Sequence, residues 1–95
     1  MESVMQDEKI CYLCGRNGYA DELESHHVYG ASNRMWSEKY GLKVWLCGDR
    51  CHRNGKESAH RNADVALKLK QDAQKKFEET HSREEFIEIF GRNYL

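Results

Sequence analysis

Cys11-Tyr12-Leu13-Cys14-Gly15, answered further along by Leu46-Cys47-Gly48-Asp49-Arg50-Cys51-His52, is the pattern that decides how this chain folds. Each pair of thiols is close enough in sequence to chelate through a single turn. Two such pairs brought together supply four soft ligands, a set that suits tetrahedral zinc. Gly15 and Gly48 follow a thiol in each pair and let the backbone bend around an ion. Four protein ligands close the coordination sphere, so the zinc expected at Cys11, Cys14, Cys47 and Cys51 is structural rather than catalytic. Residues 1–10 are acidic and polar, unlike a secretory signal. The expected compartment is therefore reducing, which favours metal ligation over disulfides.

The chain has 95 residues and shows no break in composition, so it reads as one domain over residues 10–95 behind a flexible tail at 1–9. A chain this short buries a modest core, and a metal at residues 10–61 compensates. No apolar run is long enough for a bilayer. Net charge is −1, which does not mark a nucleic-acid binder. The distribution is uneven, however. From Gly30 to Lys56 the bases Arg34, Lys39, Lys43, Arg50, Arg53 and Lys56 face only Glu38 and Asp49, whereas Met1 to Tyr29 has six acids against Lys9 and Arg16. Taken alone, that basic stretch is an ordinary solvated loop.

Working outward from the cysteines, Glu22 to Tyr29 and Lys43 to Leu46 read as short strands. The loop between them is expected to hold one helical turn capped by Ser37. Val65, Ala66, Leu69, Ala73 and Phe77 recur at helical spacing and predict a long helix from Ser58 to Glu79. A C-terminal helix is expected over 82–91. Ser82 and Glu85 form its capping box, Phe86, Ile89 and Phe90 its buried face, and Gly91 its stop. The fold class is α+β. Of Trp36 and Trp45, at least one is expected in the core.

The histidines add chemistry. His26-His27 ends the first strand, and His52 follows Cys51 directly, where the second thiol pair fixes its place. His60 joins them if the Asn54-Gly55 turn folds back. One imidazole of such a group can ligate a metal while another stays free as a base.

In the order Cys11-x2-Cys14, His26-His27-Val28 and Leu46-Cys47-Gly48-Asp49-Arg50-Cys51-His52, the chain resembles the HNH endonucleases, the His-Me finger or ββα-metal superfamily. It looks most like the short phage and prophage members with a four-cysteine zinc site. The resemblance implies a treble-clef-like ββα-metal finger whose helix presents the second-motif histidine. It also implies metal-dependent DNA cleavage leaving 5′-phosphate and 3′-hydroxyl ends, in the cytoplasm of a bacterial host. In that scheme His26 and His52 bind a catalytic divalent ion (Mg2+, Mn2+, Ni2+ or Zn2+), His60 takes a further ligand place, and His27 is the general base. Arg34, Lys43, Arg50, Arg53 and Lys56 become phosphate contacts. The sequence departs from the pattern at the middle asparagine. None lies in Gly41-Leu42-Lys43-Val44-Trp45-Leu46, so Asn33 is the expected replacement, ahead of Asn54. The competing readings are a non-catalytic zinc module that binds nucleic acid or protein, and an accessory factor in phage DNA processing. Neither needs the histidines. A single site per chain implies a nicking monomer, with a homodimer for paired cuts.

Overall fold

Strands β1 (Leu23–His27) and β2 (Lys43–Cys47) pair antiparallel in the computed structural model of the chain, which describes residues 2–95. Their register sets Leu23 against Cys47, His26 against Val44 and His27 against Lys43. Side chains alternate along a strand, so Glu24, His26, Val44 and Leu46 share one face and Ser25, His27, Lys43 and Trp45 the other. Val44 and Leu46 are buried, which identifies the first face as the one turned to the core.

A short helical turn, Ala31–Asn33, leads from β1 into α1 (Arg34–Tyr40). Ser37 does not cap this helix. It is buried in the middle, where its hydroxyl donates to Tyr29 O and accepts from Tyr29 N, occupying both backbone groups of that residue. Gly41 then stops α1 in the left-handed region at φ +69°, and a Cβ there would collide with the backbone of Glu2.

After β2 a wide helical turn, Gly48–Arg53, holds the second thiol pair. The long helix α2 spans Ala63–Phe77, not the expected 58–79. The Asn62 side chain accepts from the N–H groups of Asp64 and Val65 at 3.0 and 3.2 Å. Residues ahead of Asn62 are pulled away by other bonds: Ala59 N–H goes to Cys51 O and His60 N–H to His52 O. Helix α3 (Arg83–Phe90) has the Ser82–Glu85 capping box and ends at Gly91, φ +89°.

The core lies where the inner sheet face meets the helices. Leu69, Ala73 and Phe77 of α2, Phe86 and Phe90 of α3, and Tyr29 are all buried. Tyr29 lies 4.6 Å from Phe90 between ring centroids, and its hydroxyl donates to Lys70 O. Each such large apolar side chain contributes about 1.5–3 kcal/mol on burial. Trp36 and Trp45 are both half-buried against this cluster.

The segment read as a flexible tail is docked, at least over residues 2–9; Met1 lies outside the described residues. Val4 N–H bonds Gly41 O, the Ser3 hydroxyl donates to Lys43 O, and Gln6 Oε1 accepts from Trp45 N–H. The last two satisfy backbone groups of β2 that no third strand covers among the described residues. The chain is thus a small α+β domain with a two-stranded sheet. No helix among the described residues is long and apolar enough to cross a membrane.

Candidate metal centres

The turn at Cys11–Gly15, tied to β2 by Tyr12 N–H to Trp45 O, and the turn after β2 bring all four cysteines together, with their sulfurs within 4.8 Å of one another. Cys14 Sγ and Cys47 Sγ are 3.5 Å apart, and all four thiols are free. A disulfide needs about 2.05 Å. Four sulfurs about 2.3 Å from a zinc would stand about 3.8 Å apart, close to what is seen. Burial tends to raise the Cys14 thiol. Hydrogen bonds from the Arg16 backbone and side chain and from the thiols of Cys47 and Cys11 outweigh it and bring it down to about 6. Burial followed by the neighbouring thiols pushes Cys47 up to about 12, and Cys51 is driven up by the same causes. Without a cation, then, the cluster resists full ionisation. The four cysteines could hold a metal ion such as zinc.

A second group forms nearby. Ligand nitrogens of His26, His52 and His60 also lie within 4.8 Å of one another. Ring centroids are 5.0 Å apart for His26–His52, 5.6 Å for His26–His60 and 4.7 Å for His52–His60. His26 comes from the inner face of β1. His52 is the neighbour of Cys51, so the thiol pair positions it. His60 arrives because residues 54–60 fold back, tied by Ala59 N–H to Cys51 O at 2.8 Å and His60 N–H to His52 O at 3.1 Å. Burial, and then the proximity of His52, His60, His27 and Lys70, lowers His26 to about 4. At neutral pH it is therefore the uncharged imidazole that ligates metals.

These rings line a cleft of about 440 Å3 together with His27, Arg34 and Lys70. His27 belongs to the other face of β1 but stands at the strand end, where the chain turns into the loop at Gly30. Its Nε2 is 3.6 Å from Glu38 Oε1. The Lys43 ammonium is the main cause that draws the Glu38 carboxyl down to about 2.

Several expected residues lie elsewhere. The Asn33 amide donates to Phe90 O at 3.2 Å and, among the described residues, makes no hydrogen bond to His27. Glu38 occupies the place beside His27 instead. Asn54 is spent on Asp49 Oδ1, shaping the turn. Of the five proposed phosphate contacts only Arg34 lines the cleft. Lys43 is on the opposite sheet face and paired with Glu38, because period-two alternation sends it there. Arg53 pairs with Glu24 at 3.0 Å, while Arg50 and Lys56 are exposed on the turn and loop outside the cleft.

Two residues were missed. Lys70 was hidden within an amphipathic helix. Glu24 Oε1 lies 2.8 Å from His52 Nδ1, and its place two residues before His26 on a strand was the available signal. A larger hollow, about 760 Å3 beside Trp45 and the N-terminal segment, contains none of the clustered histidines.

No family model, curated protein or solved structure matches the chain.

Proposed function

We propose that this chain is a metal-dependent endonuclease of the HNH, ββα-metal kind that nicks DNA. In this reading Cys11, Cys14, Cys47 and Cys51 hold a structural zinc, and His26, His52 and His60 hold a catalytic divalent cation. The observation that carries it is the convergence of three histidine donors from separate segments on one cleft, with a fourth histidine at its edge. A structural zinc module has no use for that second donor set.

The cation, when bound, supplies Lewis-acid stabilisation of charge on the phosphate and the leaving oxygen. The protein's own groups do the rest. His27 accepts a proton from the attacking water as general base. With Nε2 turned to Glu38, Nδ1 is the nitrogen left for that proton. Arg34 and Lys70 draw the phosphate backbone to the cleft mouth. The test is nicking of supercoiled plasmid by zinc-loaded protein supplied with Mg2+, Mn2+, Ni2+ or Zn2+. Wild type should relax the plasmid, and His27→Ala should not, with zinc content and melting temperature retained. Wild-type protein that cuts no DNA form with any of these ions refutes the reading.

A further inference from the structure

We propose that Glu24 is a positioning residue that selects the tautomer of His52, an inference that rests on reading the three histidines as metal ligands. The 2.8 Å contact joins His52 Nδ1 to Glu24 Oε1. An ionised carboxylate only accepts, so Nδ1 carries the hydrogen. A neutral imidazole has one such hydrogen, which leaves the lone pair on Nε2, the other nitrogen of the ring that meets His26 and His60.

Glu24 is itself held in place. Its second oxygen, Oε2, bonds Arg53 Nη1 at 3.0 Å. A Cβ at Gly48 would stand 3.0 Å from the Glu24 carboxyl carbon, so only glycine leaves the carboxylate its present room. The His52 side chain is 16% exposed and has little freedom to swing away. Strand β1 thus delivers one ligand, His26, and two residues earlier on the same face the group that orients another. Among the described residues neither His26 nor His60 has a carboxylate within hydrogen-bond reach, so the role is particular to His52. Without the carboxylate, a neutral imidazole is free to place its hydrogen on Nε2, where it would block ligation.

The experiment uses the full chain with zinc on its cysteines. Long-range proton–nitrogen NMR of histidine-labelled protein at about pH 8 distinguishes the two tautomers and the imidazolium directly. Calorimetric titration with Ni2+ alone reads affinity. Wild-type His52 should show the Nδ1–H pattern. Glu24→Ala should lose that pattern and weaken Ni2+ binding about 10–100-fold, at unchanged zinc content. Glu24→Gln, whose amide oxygen still accepts from Nδ1, should keep most of both. An Nε2–H pattern in wild type, or tight Ni2+ binding by Glu24→Ala, overturns the role. If Glu24→Ala does not fold, the wild-type tautomer decides alone. His26→Ala separates the two layers: Ni2+ binding indifferent to that change sinks the metal reading of the histidines, whereas loss there with normal Glu24→Ala binding sinks only the role of Glu24.

Discussion

Gly55→Ala should detach His60 from the other two histidines while sparing the thiol cluster. Gly55 sits at the bend that returns the chain from Arg53 toward His52, and its α-carbon faces the Arg50 carbonyl. An added Cβ would lie 2.9 Å from the Arg50 carbonyl carbon, 3.1 Å from its Cα and nearer still to its oxygen. Carbon atoms in good contact are about 3.5–4.0 Å apart, so the carbon contact alone requires a shift of about 0.6 Å or more. Both sides of this contact are backbone, and no side-chain rotation relieves it. Metal–ligand distances tolerate about 0.2 Å. The bond from His60 N–H to His52 O at 3.1 Å is the tie that such a shift would stretch. Overpacking of this kind costs about 1–3 kcal/mol. For a domain of this size that lowers the melting temperature by about 4–8 °C per kcal/mol. Ni2+ titration of the zinc-loaded variant should resemble that of His60→Ala, and zinc content should stay at one ion per chain. A variant that melts and binds Ni2+ like wild type would show that the bend does not position His60, and the reasoning would fail.

Cys51→Ser should abolish stoichiometric zinc uptake and the cooperative thermal transition, because a hydroxyl replaces a buried thiolate donor; metal analysis and circular dichroism check both. At alkaline pH, Tyr29 is the group to watch. Burial, then Tyr94 and Glu78, holds its phenol well above the usual value of 10.0. A folded-state value above the unfolded one means that its stabilising contribution is intact below pH 10.0 and declines as pH rises toward the folded value. Urea melts of Tyr29→Phe should therefore lose less stability than wild type on raising pH above 10.0, although Tyr29→Phe starts lower for want of its bond to Lys70 O. An equal alkaline slope in the two proteins would contradict this.

What the sequence disclosed depended on whether the relevant interactions were local. The Ser82–Glu85 capping box and Gly91 bracket α3 through bonds within a turn, and both ends were readable. The spacing of Cys11, Cys14, Cys47 and Cys51 pointed to their meeting, since pairs this close suit chelation within a single turn. The start of α2 was read at Ser58 from apolar spacing alone, whereas the Asn62 side chain caps it. What holds the residues before Asn62 out of the helix is the pairing of Ala59 and His60 with Cys51 and His52, which depends on where the second thiol pair sits. Residues 2–9 looked like a tail because their composition is polar. Yet Ser3 and Gln6 use that polarity to bond the edge of β2, a partner invisible at a sequence distance of some forty residues. Asn33 was expected beside His27 on proximity in the loop, but its amide reaches Phe90, and the charged pair Glu38–Lys43 fills the space. Phosphate contacts suffered in the same way. Lys43 had the right charge in the right segment and the wrong parity on its strand.

Cys51 and His52 are joined by one peptide bond, and the following loop hangs from the carbonyls of both. A displacement of the turn that carries the second thiol pair would therefore displace the histidines as well. On the proposed reading, an ion drawn to the thiols would also hold His52 and the loop that carries His60, so the two donor sets would answer to each other through the covalent chain.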